Sequence, residues 1–427
     1  MKRFCSVLLA SAVVASAVPA MAFENQFGGY WRTRAFTQRD FAADEKADSS
    51  RTDSRTRLYY TAEFSKNFKL VNKFEMDAIW GSKEYFDRPA AANKPGSGAI
   101  GADSISVEVK NTYADFAFDL VNDAKLGFKL GTQGTVISRG FLFNDDFSGA
   151  IVSYDMNKDI KIPFIWIKAN EGGPGINTAG DKLNDEDIDV YALSPEFKLG
   201  KAAMINPLFA YQKQESTNSD IYTMGLNADM TADAFKAWFT GIYQNGTIMS
   251  GTVDMDLASY LVALGAEYNI GKLNLNAQGF YASGDDDATD DEMNGFVGFA
   301  NSGGAINAGQ DYHWSEIMGG GIFDSNVSNG IGKYGYNSVT NITAAKIGAS
   351  YKAMDKLTVY GDIWYAKLSE VAKGQDDELG TEFDLRARYM LFENLALDVV
   401  GAYLAAGDAT NKDDNPYEVG TQLELKF

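Results

Sequence analysis

Along most of the chain apolar and polar residues alternate one for one. Successive side chains of an extended strand point to opposite faces, so a period of two marks strands with one apolar and one polar face. The clearest run is at the C-terminus. There Tyr417, Val419, Thr421, Leu423, Leu425 and Phe427 fall on one face, and Glu418, Gly420, Gln422, Glu424 and Lys426 on the other. Leu58, Tyr60, Ala62 and Phe64 oppose Arg55, Arg57, Tyr59, Thr61 and Glu63. Leu273, Leu275, Ala277, Gly279 and Tyr281 oppose Asn274, Asn276 and Gln278; Phe383, Leu385, Ala387 and Tyr389 oppose Glu382, Asp384, Arg386 and Arg388. Enrichment in Tyr, Phe, Val and Ile supports strands over helices.

Eighteen such strands can be counted, and their connections alternate between tight and long. Tight turns fall near 66–68, 120–124, 156–158, 200–202, 231–233, 270–271, 353–355 and 393. Long connections fall near 40–53, 82–104, 137–147, 171–187, 213–220, 245–256, 284–338, 370–380 and 407–416. This asymmetry predicts an all-β, up-and-down antiparallel transmembrane barrel with both termini on the tight-turn side. The two faces blur near 112–114, 160–167 and 191–199, which leaves sixteen strands as the other count. A closed sheet satisfies every backbone N–H and C=O internally, as a hydrocarbon environment demands. Trp31, Tyr60, Trp80, Tyr113, Trp166, Tyr281, Tyr365 and Tyr417 suit the aromatic girdles at the two interfaces. A secreted soluble β-sandwich is the alternative with the same alternation.

The first residues change the picture of where this barrel goes. Lys2 and Arg3 precede an apolar stretch from Val7 to Val18, and Ala20-Met21-Ala22 supplies a small-x-small cleavage pattern. Residues 1–22 read as a secretory signal peptide, too short to span a bilayer, and 23–427 as a single barrel domain. Cys5 is the only cysteine, so the mature chain has no disulfide, no thiolate metal ligand and no covalent c-type haem. No cofactor is expected. The formal charge of −20 becomes −22 when Lys2 and Arg3 are removed, which excludes nucleic acid as a partner.

The terminal segment ending in Phe427 resembles the C-terminal signature of bacterial outer-membrane barrels, whose aromatic last residue is read by the barrel-assembly machinery. The start of the mature chain, Phe23 to Arg34, and the strand Arg57 to Phe64 resemble the large OmpJ-type porins of Geobacter-like metal-reducing bacteria. The resemblance implies a Gram-negative outer-membrane porin with periplasmic termini, surrounded by outer-membrane lipids and passing small hydrophilic solutes. Similar porins are commonly homotrimers. The same resemblance raises a second role, a sleeve around a multihaem cytochrome in an electron conduit.

Candidate chemistry concentrates on charge. Of ten arginines after residue 22, six form i, i+2 pairs on inward faces: Arg32 and Arg34, Arg55 and Arg57, Arg386 and Arg388. In an eighteen-strand barrel these fall on strands 1, 2 and 16, near neighbours on the closed wall, giving a basic ladder in the pore. Glu63, Glu75, Asp77, Glu382, Asp384 and Glu424 are its expected partners. The connection 138–148 is expected to fold inward, carrying Arg139 and placing Asp145 and Asp146 opposite the ladder; such clusters sort permeants by sign and size. The alternative is that all of these are wall neighbours that stiffen the barrel. The connection 284–338 carries nine acidic residues and one basic residue. Asp285, Asp287, Asp290 and Asp291 are candidate Ca²⁺ ligands, although their spacing is not that of an EF-hand and a solvated acidic rim fits as well. Either way, a negative vestibule would concentrate cations at low salt. Gly330 to Gly335 fits G-x-G-x-x-G without the strand and helix that a nucleotide site needs, and His313, the only histidine, has no nucleophile motif near it. No enzyme activity is expected.

Overall fold

The computed structural model describes residues 23–41, 48–82, 98–101, 105–172, 186–215, 217–250, 253–285, 287, 289–300, 312–323, 339–410 and 414–427. The expected signal peptide lies outside them. Eighteen antiparallel strands form the wall. They are β1 (Glu24–Arg39), β2 (Ser49–Ser65), β3 (Phe68–Ile79), β4 (Glu108–Asp119), β5 (Lys125–Ile137) and β6 (Phe143–Asp155). Next come β7 (Ile160–Asn170), β8 (Ile188–Leu193 and Glu196–Leu199), β9 (Ala203–Gln214), β10 (Ser219–Ala232), β11 (Phe235–Ser250) and β12 (Val253–Ile270). The wall ends with β13 (Leu273–Ala282), β14 (Ile342–Met354), β15 (Leu357–Leu368), β16 (Glu378–Phe392), β17 (Leu395–Ala406) and β18 (Tyr417–Lys426). β8 is interrupted at Ser194-Pro195, where proline has no N–H to give the ladder.

Each strand pairs with its sequence neighbours, and β1 pairs with β18 from Tyr30↔Lys426 to Arg39↔Tyr417. The sheet is therefore closed, and eighteen, not sixteen, is the count. The segments whose faces blur lie inside β4, β7 and β8. Outward positions carry a continuous apolar band that includes Met224, Tyr243, Tyr260, Leu264, Ile347, Ile363, Leu385, Val399 and Val419, all exposed. A band this wide around a closed sheet is stable against hydrocarbon and not against water.

Three connections are shorter than expected. β5 and β6 are joined by 138–142, β9 and β10 by 215–218, and β11 runs to Ser250 while β12 starts at Val253. Polar residues such as Asn245 and Thr247 stay in register with both neighbouring strands. Backbone pairing, not side-chain polarity, sets where a strand ends, so polar strand ends look like loops in the sequence.

The lumen has two tiers. Near the long-connection end many inward positions are apolar, among them Ile242, Leu261, Ala263, Phe280, Ala344, Trp364 and Leu404. They are buried against Phe296, Phe299, Trp314, Ile317 and Met318 of the connection between β13 and β14, and against Phe141 and Leu142. Toward the tight turns the inward positions are polar or charged.

Candidate functional site

Of the β13–β14 connection, the described residues 296–300 and 312–323 enter the lumen as a plug, and inward-facing strand side chains hold their backbone. Glu382 on β16 is fully buried and accepts from the N–H of Ile317 (2.6 Å), the N–H of Met318 (2.8 Å) and Ser315 Oγ (2.9 Å). On β11, Gln244 Nε2 donates to Val297 O (2.8 Å) while its Oε1 accepts from Val297 N (3.1 Å). Gln212 Oε1 on β9 accepts from Ala300 N at 3.0 Å. Ring contacts complete the seat: Trp314 lies edge-on to Trp364 with centroids 4.9 Å apart, and Phe36 stacks on Phe323 at 4.7 Å. Burial pushes the Glu316 carboxyl above its usual range and holds the Tyr312 phenol up at about 12.

The three arginine pairs lie in a wall of alternating sign over β1–β4 and β16–β18. Arg34 binds Asp53 through two bonds of 2.8 and 2.9 Å, with both side chains buried, and its Nη1 donates to Ile322 O of the plug at 2.8 Å. Arg55 binds Asp77 at 2.7 and 2.6 Å and lies 3.5 Å from Glu75, which also pairs with Arg57. Arg386 donates to Asp398 at 2.8 Å; Arg388 reaches Asp398 at 3.2 Å and Glu424 at 2.6 Å. Arg32 sits in register between Arg55 and Glu424. Charge-assisted bidentate pairs of this kind are the strong class of side-chain hydrogen bond.

Several expected partners act differently. Glu63 accepts from Gln26 at 3.0 Å, and Glu382 serves the plug. Asp384 meets Glu316 N at 3.4 Å. Asp53 and Asp398, which sequence reasoning passed over, are central to the wall. Their place follows from the inter-strand register, which sets Asp53 opposite Arg34 and Asp398 opposite Arg388.

Asp145 and Asp146 do not ride on an inward loop. Both are in β6, where consecutive side chains take opposite faces. Asp146 pairs with Lys110 at 2.7 Å and accepts from Asn111 at 2.7 Å, whereas Asp145 is exposed. What does turn inward is the turn 138–142. Ser138 and Arg139 both have positive φ, 50° and 61°, a strained pair of non-glycine residues that aims the Arg139 side chain across the lumen. Arg139 Nε donates to Thr240 Oγ1 (3.1 Å) and Nη2 to Asp229 Oδ1 (2.9 Å) and Ala228 O (3.2 Å), and the guanidinium lies 4.9 Å from the Trp238 ring centroid. Thr240 passes this chain to Asn227, and Asn227 to Asn206.

The acidic stretch of the plug connection does not gather into a cation cage among the described residues. Asp287 Oδ1 accepts from Thr289 N and Oγ1, and Asp290 Oδ1 from Glu292 N, so these oxygens turn back on their own loop. Asp291 offers its backbone carbonyl to Asp256 N, and Asp285 lies beside β13 in the same stretch. The G-x-G-x-x-G segment lies outside the described residues, and His313 is an exposed plug residue. Phe427 closes the barrel seam: Gly29 N donates to its carbonyl at 2.7 Å, and its N–H donates to Gly29 O at 3.1 Å.

A family model described as alginate export matches residues 177–418. Among solved structures, Pseudomonas aeruginosa OccK9 (OpdG) aligns at 13% identity over 95% of this chain and 99% of its own, with a TM-score of 0.60. Acinetobacter baumannii OccAB1 aligns at 12% identity over 94% of this chain and 96% of its own, TM-score 0.59. Pseudomonas aeruginosa OpdK, solved with vanillate, aligns at 10% identity over 94% and 98%, TM-score 0.57. At these identities the likeness is one of fold. No curated protein matches the chain.

Proposed function

Because the chain belongs to the alginate export family, we propose that it is an outer-membrane channel through which ions and small hydrophilic solutes diffuse passively. The observation that carries this reading is the two-sided wall. A closed apolar exterior encloses inward-facing charges and carboxamides that continue below the plug. Cation preference is expected to be weak and to come from the acidic connections, because carboxylates on the wall answer the arginines. Both termini are assigned to the periplasm, the side of the tight turns, and Phe427 to recognition by the assembly machinery. Small carboxylates and acidic polysaccharide fragments are natural test solutes, given vanillate in the OpdK structure and the family's description. Planar-bilayer recording of the purified protein tests the reading. Discrete conductance steps are expected, and a protein that inserts without them would not be an open channel.

The sleeve for a multihaem cytochrome is disfavoured by one observation. The upper lumen is occupied by the chain's own plug, whose Phe296, Phe323 and Ile317 are buried as in a protein core. A guest protein would have to expel that apolar segment into water. Co-purification of a stoichiometric haem protein would restore the sleeve.

A further inference from the structure

Away from the charged wall and below the apolar tier, β10–β15 frame a recess of about 660 Å³ that opens to the lumen. Its floor is β13, where Asn274, Asn276 and Gln278 at alternate positions stack three carboxamides in a column facing inward. The charges around this column are matched one to one. Lys236 lies 2.7 Å from Glu267, Lys346 3.2 Å from Asp362, and Arg139 2.9 Å from Asp229. The charges of the recess are therefore compensated in place, although the chain as a whole is strongly acidic.

The carboxamides bond chiefly to one another and their neighbours, and Gln278 Nε2 donates to Tyr312 Oη of the plug at 3.4 Å. Asn274 Nδ2 donates to Asn269 Oδ1 at 3.0 Å and to Glu267 at 3.2 Å, and Asn276 Nδ2 donates to Asn274 Oδ1 at 3.3 Å. The Oδ1 of Asn276 is shielded and accepts from no described group. Two glycines shape the wall beside the column. A Cβ at Gly265 would come within 2.4 Å of the Trp238 indole nitrogen, and one at Gly348 within 1.8 Å of Asp362 Oδ1. These glycines let the indole and the carboxylate lie flat against the wall and keep the recess open. Tyr360 adds an aromatic edge.

A carboxamide presents a donor and an acceptor side by side, which is what a pair of vicinal hydroxyls requires. An entering anion would meet the carboxylates of Glu267, Asp362 and Asp229, and an entering cation would have to displace lysines and an arginine already paired. We propose that this recess is a binding site for uncharged polyhydroxylated solutes, neutral mono- and disaccharides or polyols, drawn from the stream that crosses the channel. The volume lies within the range that encloses small ligands. The proposal rests on the channel reading but names a neutral ligand, unlike the acidic polymer of the family description.

The test uses the full barrel with maltose and with maltobionate, which has a similar skeleton but bears a carboxylate. Added maltose is expected to interrupt the single-channel current of the wild type. The Asn274→Ala/Asn276→Ala variant should weaken that block about tenfold or more, the loss expected when a ligand hydroxyl finds no partner. Maltobionate should block less than maltose. Quenching of intrinsic tryptophan fluorescence by maltose in detergent, lost in Trp238→Phe, provides a readout that needs no current. Equal maltose affinity in wild type and the double variant, or stronger block by maltobionate, overturns the proposal. Fluorescence titration without conductance steps would keep the site and sink the channel, and steps without any maltose effect in either assay would do the reverse.

Discussion

Glu382→Ala is the most direct test of whether the plug sets the conductance. The substitution leaves two buried backbone donors, Ile317 N and Met318 N, without their acceptor and removes the bond from Ser315 Oγ. Each buried donor left unsatisfied costs about 1–3 kcal/mol, so the docked plug loses roughly 2–6 kcal/mol relative to an undocked one whose donors reach water. With a tenfold change per about 1.4 kcal/mol, the undocked fraction rises by about 30-fold at the low end of that range. The apolar contacts of Trp314, Ile317, Met318 and Phe323 remain, so the plug stays docked for much of the time. In planar bilayers the variant should show brief excursions to a larger conductance level that are rare in the wild type. Glu63→Ala, which removes only an exposed bond to Gln26, is the control and should leave the recording unchanged. An identical distribution of levels for Glu382→Ala and wild type would refute the reasoning: the segment around Ile317 would then not limit the current.

Other outcomes follow from the same geometry. Burial raises the Glu316 carboxyl, so the docked plug favours its protonated form. The docked state is then fully supported below the ordinary glutamate value of about 4.3 and loses support as pH rises from there toward the raised value. Conductance excursions should increase with pH, and Glu316→Gln, which can still accept from Ile322 N, should flatten the dependence. Arg34→Ala takes from buried Asp53 its two-bond partner and leaves it Arg51, 3.4 Å away; the cost stays below that of a fully unpaired buried charge, about 3–5 kcal/mol, and is read as a lower thermal midpoint of the folded, heat-modifiable band. Gly29→Val places a Cβ within 2.5 Å of the Phe427 ring and 2.6 Å of Arg57 O, so less barrel should assemble, measured as the heat-modifiable fraction in detergent gels. Arg139→Ala removes the cation that crosses the lumen and unpairs Asp229, and reversal potentials in a salt gradient should shift toward cations.

Most of the wall was legible in the sequence because lipid on one side and a polar lumen on the other impose a two-residue period. β16 and β18 show it residue by residue: Phe383, Leu385 and Val419 are exposed outward, while Glu382 and Glu418 are buried inward. That each arginine pair shares one face was legible for the same reason, since i, i+2 spacing on a strand fixes a common side. Its partners were only half legible. Glu75, Asp77 and Glu424 were within reach, but Asp53 and Asp398 needed the inter-strand register, which alternation does not encode. Asp145 and Asp146 were misplaced because Asn144-Asp145-Asp146 reads as loop, although its backbone pairs with Thr135 and Gly134. Polar composition cannot distinguish a loop from a strand end at a barrel rim.

The plug, too, left a trace that alternation alone obscured. A water-filled barrel predicts polar residues at every inward position, yet β12 reads Leu261-Val262-Ala263-Leu264, apolar on both faces, and β13 ends in Phe280 and Ala282 on its inward side. Inward Leu261, Ala263, Phe280 and Ala282 cannot face water over a contiguous patch without a large hydrophobic penalty. Something apolar must cover them, and the β13–β14 connection carries Phe296, Val297, Phe299, Trp314, Ile317 and Met318 within an otherwise acidic segment. Two-faced apolar strand ends and an apolar minority in the longest loop are thus two halves of one signal. Among the described residues the acidic run of Asp285, Asp287 and Asp290 to Glu292 lies at the start of that loop, whereas the apolar residues, together with Glu316, enter the lumen. A chain in which those loop positions were replaced by Ser or Asn would leave the upper tier bare, so the wall and the plug specify each other.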